Sequence, residues 1–204
     1  MPNPFARYDE SDDARFYAVP RKVVHIEPGA IAALRARYAE LLPPGGAVLD
    51  LMSSWRSHLP DGFGPGGAGP VTGLGMNAPE MADNSQLDGY VVHDLNHDPH
   101  LPFDDGSFDA VVCAVSVQYL VRPVDVFRDV TRVLRPDGPL IVSFSNRCFP
   151  TKAVALWLGA DDAGHRQIAR AYLEGAGLES VVDEQLPTPD DPVYLVWGRR
   201  AATR

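Results

Sequence analysis

Short apolar runs that alternate with helix-patterned segments constrain this 204-residue chain more than any other feature of it. Residues 47–51, 71–74, 90–95, 108–117 and 140–144 are each too short for a helix and nearly continuously apolar, as strands buried on both faces are. Ahead of them, Ile31, Leu34, Tyr38 and Leu41 recur at helical spacing until Pro43-Pro44-Gly45-Gly46 stops the chain. Residues 52–57 are expected to form a helical turn before Pro60, and a Gly/Pro-rich loop follows over 61–70. Helices are expected over 79–87, with Pro79 near the first turn, over 124–134 on the apolar stripe Val126, Phe127, Val130, Val133 and Leu134, and over 151–158 and 162–174. Two more strands are expected over 178–185 and 193–198. Strands alternating with helices in this way predict a mostly parallel sheet covered on both faces, with ligands bound beyond the carboxyl ends of the strands.

Composition narrows the function. Eighteen Lys and Arg against 27 Asp and Glu give a formal net charge of −9, which opposes docking on nucleic-acid backbones or anionic lipid. The longest apolar run falls well short of the roughly 20 residues that span a bilayer. The start MPNPFARYDESDDARF lacks the basic-then-apolar pattern of a signal peptide, so a cytoplasmic location is expected. Cys113 and Cys148 then read as reduced thiols.

Four stretches carry a more specific message: Val48-Leu49-Asp50-Leu51, Val71-Thr72-Gly73, the run LPFDDGSFD over 101–109, and RVLRPDG over 132–138. In this order they resemble the class I S-adenosylmethionine (SAM) dependent methyltransferases, over roughly residues 43–199. The resemblance implies a Rossmann-like, doubly wound α/β fold whose mostly parallel seven-stranded sheet has an antiparallel last strand. It also implies one domain over 1–204, with a lid and helix over 1–42 and the core over 43–200. The implied activity is methyl transfer from SAM, leaving S-adenosylhomocysteine, to a small-molecule acceptor.

Two hallmarks depart from that family. Met52, Ser54 and Arg56 stand where its Gly-x-Gly-x-Gly loop follows the first strand, and Gly75 replaces the acidic residue that accepts from the ribose hydroxyls. A charge-assisted hydrogen bond is worth about 1.5–3 kcal/mol, so that carboxylate's loss would weaken binding roughly 10- to 150-fold without replacement. Asn77 is one candidate acceptor, Ser53, Ser54 and Ser57 are candidates for the methionine portion, and Arg56 or Arg21 for its carboxylate. Under the plainer reading the serines only cap a helical turn.

The expected cofactor contacts are Asp50, Met52, Ser53 and Ser54 after the first strand, Gly75, Met76 and Asn77 after the second, Asp94, Leu95 and Asn96 after the third, and Ser116 after the fourth. Asp94 corresponds to the family's adenine contact, although an Asp at a strand end also organises turns. Tyr119 is expected at the methyl floor or in the core. Tyr17, Arg21 and His25 are candidates for a lid or a packing arm. His25 or His58 is the candidate general base, since imidazole titrates near neutrality. Asn146 and Arg147 follow the fifth strand as candidate substrate contacts. His93, His97 and His100 lie on a strand and loop rather than on one helix face, so no metal is expected. The rival readings are a noncatalytic methyltransferase-fold binding protein and a SAM-binding enzyme with non-methylating chemistry. A homodimer is one way of completing a small pocket.

Overall fold

The computed structural model describes residues 3–188 and 192–202. After a short helix α1 (Asp13–Phe16) and helix α2 (Pro28–Leu41), the chain enters β1 (Val48–Leu51), β2 (Val71–Gly75), α3 (Ala78–Ala82), β3 (Gly89–Val92) and β4 (Ala110–Ala114). A 3-10 turn (Val117–Tyr119), α4 (Pro123–Val133), β5 (Pro139–Ser145), α5 (Ala155–Leu158), α6 (Asp162–Gly175), β6 (Glu179–Leu186) and β7 (Val193–Arg199) follow. The seven strands form one sheet in the order β3-β2-β1-β4-β5-β7-β6. β7 is antiparallel to both β5 and β6, and the other pairs are parallel, so the expected architecture holds.

Alternation along the strands divides the core between two faces. Leu49, Val111, Leu140 and Val142 pack with Phe127 and Val130 of α4 and Leu173 of α6. Val48, Val112 and Ile141 pack with Leu34 and Tyr38 of α2 on the opposite face. Tyr38 is fully buried, and its hydroxyl pairs with Ser143 Oγ at 3.1 Å, which satisfies the one polar atom that it carries inward.

The connection from β1 to β2 departs from expectation: residues 52–57 contain no helical turn. The Ser53 N–H donates to the Leu74 carbonyl at 2.8 Å and so holds the chain beside β2 past the end of β1. The hydroxyls of Ser53 and Ser57 each donate to Asp50 Oδ2 at 2.6 Å, so these serines bind the strand carboxylate rather than helix N–H groups. α3 stops at Ala82, well before the expected residue 87, and Asn84 beyond it donates to the Ser54 carbonyl and Ser57 Oγ, both at 2.9 Å. β3 ends before Asp94, whose side chain turns the chain, and β4 ends before Val115, which has φ 51°. The expected helix over 151–158 shortens to α5 because Ala155 and Leu156 donate backwards to the carbonyls of Ala6 and Pro4.

Those two bonds belong to a strap, the segment before α2, which is fastened to the core by buried charge. Asp13 accepts from Arg7 Nη1 at 2.7 and 2.9 Å and from Asn96 Nδ2 at 2.9 Å, and lies 3.0 Å from Lys152 Nζ. Lys152 is fully buried and also donates to the Ser11 carbonyl at 2.7 Å. Burial alone would raise the Asp13 pKa, but the bonds from Asn96, Arg7 and Lys152 outweigh it and hold it below the usual carboxylate range. Among the described residues no helix is long and apolar enough to cross a membrane.

Removing one partner of such a cluster leaves a buried charge uncompensated. Asp13→Ala is therefore expected to lower stability by about 3–5 kcal/mol in urea unfolding at pH 7, and adding Lys152→Met to recover part of that loss.

Candidate functional site

A cleft of about 900 Å³, including its open mouth, lies over the carboxyl ends of β1 to β4, where an open parallel sheet receives ligands. Its floor is apolar, with Leu74, Leu95, Ala114 and Leu120, and the strap forms its roof. The structure brings most of the sequence-derived residues together here. Met52, Ser53 and Ser54 line it from β1; Gly75, Met76 and Asn77 from β2; Asp94, Leu95 and Asn96 from β3. Ser116 and Tyr119 line it beyond β4, and Tyr17, Arg21 and His25 line it from the strap. Asp50 and His58 instead face a side cleft of about 380 Å³, which shares His25, residues 52–54, Ala114 and Val115 with the main one. Asn146 and Arg147 line neither; Arg147 pairs with Glu27 at 3.1 Å and its N–H donates to Ser145 Oγ at 3.2 Å.

Each polar group is held by specific bonds. Asp94 Oδ1 accepts from the N–H groups of Asn96 and His97, at 2.9 and 3.3 Å, so the turn-forming role is realised on the cleft wall itself. Asn96 spans three elements: its amide donates to Asp13 and to the Tyr119 carbonyl, and its oxygen accepts from the Val121 N–H at 2.9 Å. Asn77 caps α3 by accepting from the Glu80 N–H at 2.9 Å and donates to the Tyr17 carbonyl at 2.7 Å, which ties the strap to β2. Arg21 donates to the Phe16 carbonyl at 2.7 Å, with its guanidinium 4.2 Å from the centre of the Phe16 ring. The Tyr119 hydroxyl accepts from the Phe149 N–H at 2.8 Å, and burial pushes its pKa up to about 12, so it remains a neutral phenol.

Among the cleft residues that sequence reasoning missed are Asp13, Glu80 and Phe149. Phe149 is wedged between Tyr119, at 6.2 Å between ring centres, and His25, at 5.2 Å. Glu80 accepts from Ser54 Oγ at 2.6 Å and from the Arg21 N–H. In the sequence it reads only as an acidic residue in a helix's first turn. The His93 ring bonds the Asp98 carbonyl, and His100 pairs with Asp129 at 3.1 Å.

The two departures at the strand ends are physically linked. Met52 stands where the family has its first loop glycine and has φ 58°, a conformation in which glycine pays no steric penalty. The backbone turn survives although the glycine does not. The extended loop then brings the Ser53 carbonyl onto β2: a Cβ at Gly75 would lie 2.2 Å from that oxygen. No acidic side chain can occupy position 75 in this backbone. His58 at φ 56° and Val115 at φ 51° flank the same region, and such backbone strain concentrates at functional sites.

Burial tunes the titratable groups here. The His25 pKa is lowered by burial against the opposing pull of Glu80, and His58 falls to about 4 through burial and the neighbouring charges of His25, Arg35 and Arg56. Burial raises Asp50 to about 6 although Ser53 and Ser57 both donate to it. A raised carboxylate pKa means that the folded state holds its proton longer than the unfolded one, so stability falls as pH rises from about 4 to 6. That shift corresponds to about 3 kcal/mol. Asp50→Asn should therefore gain on the wild type by up to about 3 kcal/mol between pH 4 and pH 7 in urea unfolding, whereas an Asp50 that titrates normally would leave the difference flat.

Comparison with known proteins agrees with this geometry. Residues 67–142 match a family model described as a methyltransferase domain. A malonyl-[acyl-carrier protein] O-methyltransferase of Marinomonas sp. (strain MWYL1) is 29% identical over 65 residues, 32% of this chain, and the match spans about a quarter, 24%, of that relative's length. Among solved structures, a putative methyltransferase in complex with the Haloferax volcanii Trm112 methyltransferase activator is similar with a TM-score of 0.62 at 16% identity, covering 86% of this chain and 91% of that one. The [4+2]-cyclase SpnF gives the same TM-score of 0.62 at 16% identity, over 83% of this chain and 81% of its own.

Proposed function

We propose that this chain, a member of the class I SAM-dependent methyltransferase fold family, binds SAM in the cleft over β1 to β4 and methylates a small molecule. The observation that carries the reading is the convergence on one cleft of residues from four strand ends and the strap, with the family signature spanning three of those ends. The residues present fit the cofactor. The apolar floor of Leu74, Leu95 and Leu120 suits an adenine ring, and Asp94, one of whose oxygens holds the turn, has its other oxygen for the adenine amino group. Ser53, Ser54 and Arg21, which line the same cleft, are the groups we assign to the methionine portion.

SAM supplies an electrophilic methyl group for direct displacement by an acceptor held in line. The protein's part is then mainly positioning and exclusion of water, for which a strap fastened by Asn77 and Glu80 is suited. His25, kept neutral by burial and shared by both clefts, is the base we assign to an acceptor that must lose a proton. His58 lines the side cleft but not the main one and, with a pKa near 4, is a weaker base. The side cleft is the natural acceptor entrance because it opens onto Ala114 and Val115 at the end of β4. A cytoplasmic location and a homodimer belong to the same proposal, the acidic composition speaking against nucleic acid as acceptor.

The altered positions 52 and 75 give substance to one rival, a noncatalytic binding protein of the same fold. The resemblance to a cyclase leaves non-methylating chemistry as another. Calorimetric titration with SAM and S-adenosylhomocysteine separates the first rival from the proposal. Binding of both, weakened about tenfold or more by Asp94→Ala, is expected. No binding at millimolar ligand by folded protein would contradict it. Screening acceptors for methyl transfer then separates the methylating reading from the other.

A further inference from the structure

We propose that Glu80 supplies the carboxylate that recognises the ribose of the adenosyl ligand, in place of the acidic side chain that position 75 cannot hold. This rests on the cofactor reading above and adds the residue that makes such binding selective.

Three carboxylates line the cleft among the described residues: Asp13, Glu80 and Asp94. Asp13 is saturated by Arg7, Asn96 and Lys152. Asp94 stands beyond the end of β3, the strand next to β2, where one of its oxygens is taken by the turn to Asn96 and His97 and the other is assigned above to the adenine amino group. Glu80 lies in the first turn of α3, five residues beyond Gly75, and is the sole acidic residue over 71–82.

Its surroundings hold the carboxylate ready. The Glu80 N–H is fixed by the Asn77 cap, the side chain is only 9% exposed, and its two oxygens each take one donor, Ser54 Oγ at 2.6 Å and the Arg21 N–H. An ionised carboxylate offers about four lone-pair sites, so each oxygen keeps one. Two acceptor oxygens of one carboxylate, buried on the cleft wall and each held by one donor, match in number the paired hydroxyls of a ribose and so would discriminate against a sugar that lacks one of them. The loop residue that closes position 75, Ser53, is followed by the residue that orients Glu80, Ser54, so the same backbone path removes one carboxylate and seats another.

The test is calorimetric titration of the full chain with S-adenosylhomocysteine and its 2′-deoxy and 3′-deoxy counterparts, on the wild type and Glu80→Gln, with circular dichroism confirming the fold. The wild type should prefer the ribose ligand by about 10- to 150-fold, and Glu80→Gln should shrink that preference to within about threefold while leaving deoxy binding nearly unchanged. Glu80→Asp, which keeps the charge but retracts it, should give an intermediate preference and serves if the Gln variant does not fold. Equal weakening of all three ligands would reduce Glu80 to a fastener of the strap and overturn the proposal, as would an unchanged preference. A wild type that binds none of the ligands would overturn the cofactor reading and this inference with it, whereas binding without ribose preference overturns the inference alone.

Discussion

The contact between the Ser53 carbonyl and Gly75 organises the ligand end of the sheet. The Ser53 N–H bonds to the Leu74 carbonyl, which keeps the chain beside β2 past the end of β1, and the Ser53 carbonyl presses where a side chain on position 75 would stand. Met52 must then take a left-handed backbone, Ser53 and Ser57 must turn inward to Asp50, and no helix can start before β2. The two departures from the family pattern are thus one structural choice: the loop that gives up its glycines is also the loop that fills the space beside β2.

The strap is the second determinant, and its energetics are ionic. A fully buried lysine is tolerable only with its charge paired and its protons bonded, and Lys152 has Asp13 together with the Ser11 and Asp9 carbonyls. The cluster places Tyr17, Arg21 and His25 over the cleft and, through Asn96, joins the strap to both the β3 end and the turn after β4. A cleft roofed in this way depends on contacts more than 80 residues apart in sequence, such as Asp13 with Asn96.

Much of this was legible in the sequence, for reasons that can be named. β1, β2, β4 and β5 are short, nearly continuous apolar runs, and a mostly parallel seven-stranded sheet with an antiparallel last strand follows from the family resemblance. Strand ends then point to the cleft, so Met52, Asn77, Asp94 and Ser116 could be placed without coordinates. The turn at 52–57 was not legible, since a serine after a strand signals a helix cap equally well, and only the Asp50 carboxylate decides otherwise. Nor was Lys152, whose partners lie about 140 residues away, or Glu80, which is indistinguishable in sequence from an ordinary first-turn acid. Asn146 and Arg147 were drawn from topology alone, but β5 lies one strand beyond the cleft and they do not reach it.

The central claim is that the strap and the β1 to β4 ends form one binding site for an adenosyl ligand. Hydrogen–deuterium exchange with and without S-adenosylhomocysteine tests it most directly, because it reads opening of the backbone region by region. The account predicts slowed exchange over 17–25, 52–57 and 74–77 on ligand addition, with β6 at the far edge unchanged. Unchanged exchange in the strap and the β1 loop at saturating ligand, or protection confined to β6 and β7, would contradict it.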